Sequence, residues 1–265
     1  MLPAVVASFA HPILKMRLLA DLALLPPAVG SLARTLAALP GALAVVLGGS
    51  RGAGGADEGS DWDLAVYYRG AIGLAALEPY GQVHPPGSWG RIMNGGAWFR
   101  VGDTDVDLIL RDLDVALHWT RQAALGAFEL DALLGYIAGI PTYSLAAELA
   151  SGRVLAGELP VVGAMPPALV RTAPPRWRFA RDFSLEYARM HAARGNVAGA
   201  AGQAARAAME EAHARVCERG QWTLNEKRLL AAAGLDGVND VFARLPARAG
   251  TLGSWVDEVA GALAT

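Results

Sequence analysis

Two aspartates stand two residues apart in SDWDLAVYY, Asp61 and Asp63, where a run of apolar residues begins. On an extended strand, alternate side chains leave from the same face, so both carboxylates point together. Carboxylates held side by side repel one another unless a cation lies between them, and an all-oxygen donor set is what Mg²⁺ selects. The apolar residues that follow make an acid on the strand's inner face costly without such a cation. A further pair, Asp105 and Asp107 in TDVDLIL, again shares a face, and Asp107 is the deeper because Val106 and Leu108 flank it. Two Mg²⁺ ions held by Asp61, Asp63 and Asp107 would clamp the phosphates of a nucleotide and lower the pKa of an acceptor hydroxyl. Asp107 is the candidate general base for that hydroxyl.

Upstream of the aspartates lies a glycine-rich turn, LGGSRGAGG, which admits three readings. A P-loop needs a lysine beside its last glycine, and no lysine stands between Lys15 and Lys227. A dinucleotide fingerprint needs a different glycine spacing and an acid further downstream. The third reading joins turn and acids in one device. Gly48 and Gly49 let the backbone bend sharply and approach a ligand, and Ser50 offers a hydroxyl and an N–H at an expected helix N-terminus, where a triphosphate would fit. Arg51 could reach a phosphate, although an arginine in a glycine loop is more often simply exposed.

These residues need a sheet to position them, and the first half of the chain has the signals for one. AVGSLARTLAAL (28–39) has leucines at helical spacing and is stopped by Pro40-Gly41. ALAVVL (42–47) is a short continuous apolar strand of the kind buried on both faces, and DLAVYY (63–68), AWFRV (97–101) and DVDLILR (105–111) follow it. Beyond residue 112 the period changes to that of helices. Asp112 or Asp114 is placed to cap a helix to about residue 126, the pair Pro174-Pro175 is expected to precede a long amphipathic helix, and residues 196–220 form an alanine-rich helix closed by Gly220. Phe179, Phe183, Tyr187 and Met190 fall on one stripe, expected to be bundle core. Trp89 and Trp98, near the glycines at 95 and 96, could line a cleft or simply pack. The expected division is an α+β head over residues 1–125 and an all-helical part over 126–265.

The composition sets outer bounds. With 53% hydrophobic residues in 265, the chain has ample apolar surface to fold as one large or two modest domains. Its apolar stretches are broken by charges or proline before reaching membrane-spanning length, so no membrane association is expected. The N-terminal segment has no basic residue ahead of its apolar run and no clear cleavage site, which points to a cytoplasmic location. The single cysteine, Cys217, cannot form an internal disulfide or a cysteine-based zinc site and is expected to be a small buried side chain. A formal net charge of −2 offers no field to gather a polyanion, which disfavours nucleic acid as a partner. The histidines have no metal-ligand spacing. Alanine-rich helices such as 196–218 could pack within one chain or in a homodimer.

LGGSRG, then SDWDL, then VDLIL resembles the nucleotidyltransferase superfamily that includes DNA polymerase β, whose pattern is a Gly-Ser turn, an Asp-x-Asp on the next strand and a third acid on a later strand. The resemblance covers residues 28–111. It implies a polymerase β-like head with a short mixed sheet in which Gly49 and Ser50 hold nucleotide phosphates. It further implies that Asp61 and Asp63 bind two metals and that Asp107 binds one and serves as base. The helical part is similar to that of the small bacterial members such as aminoglycoside adenylyltransferases, where it shapes the acceptor pocket. By that likeness QWTLNEKRLL (221–230) makes Lys227 a candidate for the triphosphate, with an ordinary surface lysine as the equal alternative. The implied activity is Mg²⁺-dependent transfer of a nucleoside monophosphate, AMP from ATP by preference, to a hydroxyl of a small polar acceptor with release of pyrophosphate. The alternatives are a protein- or tRNA-modifying (AMPylating, toxin-like) enzyme and a catalytically silent nucleotide-binding module.

Overall fold

The computed structural model describes residues 25–52, 54, 61–246 and 249–265. The N-terminal segment considered for a signal peptide, and the loop between Gly54 and Asp61, lie outside them. The chain divides into two compact units. The first comprises residues up to Val115 together with Ser151–Pro160, and the second comprises Ala116–Ala150 and Val161–Thr265.

In the first unit, helix α1 (Pro27–Ala37) leads into strand β1 (Ala42–Leu47), the single turn α2 (Gly49–Gly52) and strand β2 (Trp62–Tyr68). A 3-10 turn (Ala75–Tyr80) and a short helix α3 (Gly90–Met93) precede strands β3 (Gly95–Val101) and β4 (Thr104–Asp112), and helix α4 (Leu113–Ala124) leads on into the second unit. Strands β5 (Leu130–Asp131) and β6 (Ile140–Pro141) form a two-stranded ladder in the second unit, ahead of helix α5 (Ser144–Ser151). Strand β7 (Arg153–Gly157) then returns to the first unit's sheet as a new edge beside β1. That return is where the observed division departs from a simple split near residue 125.

The sheet has the order β3-β4-β2-β1-β7, with β2 and β4 parallel and the other neighbours antiparallel. It is a mixed sheet in an α+β chain, as the resemblance implies. One face is apolar at every second residue. Val45, Leu47, Leu64, Val66, Leu108, Leu110, Ala97 and Phe99 point inward and pack against Val29, Leu32 and Leu36 of α1. Burying the valine, leucine and phenylalanine side chains among them contributes about 1.5–3 kcal/mol each before entropy is counted. The alternation that fills this face leaves Asp63, Asp107 and Trp98 on the other.

The second unit is helical: α6 (Pro167–Ala193), α7 (Val197–Glu218), α8 (Leu229–Ala233), α9 (Val238–Ala243) and α10 (Leu252–Ala264). Asn196 caps α7 by accepting a hydrogen bond from the Gly199 amide, and Gly220, at φ +65°, lies just past its end. Two expectations fail here. The proline pair lies inside α6, whose start is set upstream by Pro167 at the first turn, where a missing N–H costs nothing. The stripe of Phe179, Phe183, Tyr187 and Met190 is not core: these side chains are 73%, 58%, 41% and 40% exposed. Ser184, Leu185, Ala188 and Ala192 are buried instead. The partner helix explains the choice, because α7 presents a ribbon of Ala200, Ala204, Ala207 and Ala208, and small residues on both helices allow close approach.

Cys217 is fully buried on α7, with its sulfur 3.4 Å from the Tyr143 hydroxyl, which also accepts from Trp177 Nε1 at 3.0 Å. Burial pushes the Cys217 thiol up to about 11. Among the described residues, no helix is long and apolar enough to cross a membrane.

Candidate active site on the open face of the sheet

The glycine turn and the acid strand are one local structure. Strand β1 ends at Leu47, and the Gly48 amide donates to the Asp63 carbonyl at 2.8 Å, so the turn leaves the sheet opposite the acid. The Gly52 amide closes the turn onto the Gly48 carbonyl at 2.7 Å. Gly49 has φ +56°, and a β-carbon built on it would overlap the Asp63 carboxylate. Only glycine satisfies both demands, a left-handed backbone and contact with a carboxylate. Gly48 differs, since a β-carbon there would meet Asp63 at an ordinary 3.8 Å. Ser50 is half-buried in the same turn. Because α2 is only four residues long, it lacks the macrodipole of a full helix, and what it presents is its local amides.

Arg51 is turned back toward β2. Its Nε donates to the Asp61 carbonyl at 3.3 Å, and its guanidinium lies 4.3 Å from the centre of the Trp62 ring. It ties the turn to the beginning of the acid strand.

Asp63 and Asp107 are direct partners in the parallel ladder between β2 and β4. Both are half-buried, and Asp107 stands between Val106 and Leu108, which are fully buried on the opposite face. Asp61 is exposed and precedes β2 by one position. Asp105 is exposed near the start of β4 and pairs with Arg100 Nη1 at 2.9 Å. Lys227 is exposed in the second unit, and its backbone amide donates to Asn225 Oδ1 at 3.0 Å.

Across β4 from Asp107 is Trp98, its direct partner in the antiparallel ladder with β3. Asp63, Asp107 and Trp98 therefore form a straight row over three strands, side chains on one face, with neighbouring β-carbons about 4.5–5.5 Å apart. The same register puts Tyr67 beside Arg111, both buried. Arg111 Nη1 donates to the Ile92 and Met93 carbonyls at 3.0 and 2.9 Å, fixing the end of α3. Trp98 was visible in the sequence as a possible cleft residue; the place of His84 beside it was not, because a single histidine with no spacing pattern gives no local signal.

The donor set suits Mg²⁺ in a particular way. Among the described residues, no three His, Cys, Asp or Glu side chains gather into a metal cluster. Mg²⁺ typically takes one or two carboxylates and completes its shell with substrate phosphates and water, not with a cage of protein ligands. Two in-register carboxylates beside an amide-rich turn fit an ion that arrives with a phosphate chain.

No family model and no curated protein match the chain. Among solved structures, the chain is similar to a nucleotidyltransferase-like protein from Exiguobacterium sibiricum 255-15, with a TM-score of 0.43 and 14% identity over 89% of this chain and 73% of that one.

Proposed function

We propose that the chain is a nucleotidyltransferase that takes a nucleoside triphosphate, ATP by preference, with Mg²⁺, and transfers the nucleoside monophosphate to a hydroxyl of a small polar acceptor. The observation that carries this reading is the contact of Gly49 with the Asp63 carboxylate in the strand register that sets Asp63 beside Asp107. In this reading the amides of Gly49 and Ser50 receive the phosphate oxygens. Asp63 and Asp107, with Asp61 just ahead of β2, would hold Mg²⁺, which when bound would neutralise charge on the phosphates and lower the pKa of the acceptor hydroxyl.

The acceptor hydroxyl gives its proton to Asp107 and its oxygen forms a new bond to the α-phosphorus. The bond from that phosphorus to the β-phosphate bridging oxygen breaks, and pyrophosphate leaves carrying the electron pair. Arg51, engaged with Trp62, serves to brace the turn. The test is pyrophosphate release from ATP with Mg²⁺ over a panel of hydroxylated acceptors, wild type beside Asp107→Asn. Release that falls by about a hundredfold or more in the variant supports the reading. Equal release by both proteins removes Asp107 from the chemistry.

A further inference from the structure

Four arginines of the helical unit converge on one cavity. Arg178 and Arg181 stand one turn apart on α6, Arg215 lies on α7, and Arg219 is the C-cap of that helix. With Glu211 and Glu218 of α7 and the end of α10 at Leu263 and Ala264, they line a space of about 600 Å³. That is the size of a small-molecule site, but the lining is ionic where such sites are mostly apolar.

Ion pairing accounts for part of the cluster. Arg178 holds Glu218 through both Nη atoms, at 2.8 and 2.7 Å. Glu211, which is buried, accepts from Arg181 Nη1 and Arg215 Nε and has Arg178 Nε at 3.5 Å, so one carboxylate serves three guanidinium groups. The other edge of Arg181 faces Asp182, whose exposed carboxylate lies outside the cavity and is screened by water. Arg219 makes no ion pair among the described residues; its Nη1 and Nη2 donate to the Ala232 and Ala233 carbonyls at the end of α8, at 2.8 and 3.1 Å. Four arginines against two glutamates leave the lining with a surplus of two positive charges. That surplus is felt locally, because the Glu218 carboxyl is held below its usual range by the Arg178 hydrogen bonds, with the charges of Arg178, Arg215 and Arg219 acting in the same direction. The macrodipole of α7 favours cations at its C-terminus and explains Arg215 and Arg219 singly, but it accounts for neither the surplus nor the space between the guanidinium groups. Donors also stay unused: Arg215 Nη1 and Arg219 Nε have no hydrogen-bond partner among the described residues.

We propose that this cavity binds a phosphomonoester, its phosphoryl group held among the four guanidinium groups and its organic part against Leu263 and Ala264. The charges match, since a phosphomonoester carries about −1.5 to −2 at neutral pH and the lining has two positive charges to spare. The shapes match as well. Three phosphoryl oxygens arranged as a tetrahedron accept from planar guanidinium forks that arrive from two helices, whereas a carboxylate offers two oxygens in one plane and a single charge. Arg181 and Arg215 are 19% and 16% exposed, so their attraction for a dianion is screened less than that of surface arginines. The ligand also relieves the mutual repulsion of four like charges, which makes the helical unit more stable when it is bound. Every residue of the site lies in the helical unit, and the proposal stands apart from the transferase reading.

The test uses the full chain with ¹⁵N-labelled arginine, in EDTA so that no Mg²⁺-dependent nucleotide site contributes. The probes are inorganic phosphate, phenyl phosphate and, at matched ionic strength, malonate, a dianion of two planar carboxylates. The Nε–H resonances of Arg215 and Arg219, assigned from Arg215→Lys and Arg219→Lys, should move saturably with both phosphates. Phenyl phosphate should bind more tightly than inorganic phosphate, and malonate should bind about tenfold more weakly than either. Arg219→Gln should weaken phosphate binding about tenfold or more while its melting stays cooperative, and Arg219→Lys should recover part of the loss. Resonances that ignore both phosphates overturn the site. Malonate that binds as well as phosphate also overturns it, because the cavity would then read charge and not the phosphoryl group. Phenyl phosphate that binds no better than inorganic phosphate overturns the ester in favour of the free ion. Phosphate affinity unchanged in Arg219→Gln places the binding elsewhere and contradicts the assignment.

Discussion

Asp63 and Asp107 face one another across the parallel ladder of β2 and β4, so two carboxylates leave the sheet side by side from a single face. Nothing in the packing of an ordinary sheet asks for this, since like charges directly opposite one another destabilise a strand pair. The glycine turn meets the first of these acids and the exposed indole of Trp98 adjoins the second. The candidate site of this unit thus lies along one row of the sheet.

Gly49 is the most constrained residue of that row. Gly49→Ala forces a left-handed alanine against the Asp63 carboxylate, and a loss of about 1–3 kcal/mol in unfolding free energy is expected together with weakened nucleotide binding. Gly48→Ala, which meets only an ordinary contact, should cost less than about 1 kcal/mol. Denaturant melts of the two variants make the comparison, and equal losses would remove the steric argument.

Asp105 shares a strand with Asp107 but not its role. It pairs with Arg100 in an exposed ion pair, of a kind worth about 1 kcal/mol at most. Asp105→Asn should leave both stability and nucleotide affinity near the wild-type values, as measured by melting and calorimetry side by side. A large drop in affinity would place Asp105 among the ligands.

In the helical unit, Glu211 is a buried carboxylate, 3% exposed, that accepts from Arg181 Nη1 at 2.5 Å and from Arg215 Nε at 3.1 Å, with Arg178 Nε at 3.5 Å. Glu211→Ala removes an acceptor these groups share, while Arg181 keeps Asp182, Arg215 keeps the Leu263 carbonyl and Arg178 keeps Glu218, and the loss should be about 1–3 kcal/mol in urea unfolding. Glu211→Gln, which keeps two acceptor positions at most, should fall between.

His213 gives the unit an acid sensitivity. Its ring stacks on Trp177 at 4.3 Å, neither ring nitrogen has a hydrogen-bond partner, and burial pushes its pKa down to about 3. The unfolded chain takes up this proton near pH 6.5, while the folded chain does so only near 3. Between those values the unfolded state binds more protons, so stability is full above about pH 6.5 and falls by up to about 1.4 kcal/mol per pH unit as pH drops. Glu210, whose carboxyl is raised by burial, contributes in the opposite sense just above its ordinary range. The difference between wild type and His213→Phe isolates the histidine. Urea melts at pH 7.5 and 5 should show a smaller acid loss in the variant, and parallel losses would contradict the assignment.

The strands that carry the site were legible because they are short apolar runs, and their alternation set Asp105 and Asp107 on one face of β4; that β2 begins at Trp62, just after Asp61, was not legible. The single-turn nature of α2 was not, since glycine and serine mark a turn without giving its length. Strand Arg153–Gly157 escaped because five residues with an exposed arginine at one end have no local signature, and their place beside β1 is decided by distant pairing. The exposed face of α6 escaped for a related reason. That helix has apolar residues on two sides, and only the alanine ribbon of α7 selects Ala188 and Ala192 over Phe179 and Phe183. His84 acquires its neighbours only through the bridge to Gly96.

Calorimetric titration of ATP with and without Mg²⁺, wild type beside Asp63→Asn, probes the proposed metal-dependent nucleotide site at Asp63 and Asp107. Wild type should bind only with Mg²⁺, and Asp63→Asn should lose at least about tenfold in affinity while its melting remains cooperative. Binding that ignores Mg²⁺, or that survives unchanged in Asp63→Asn, would contradict it.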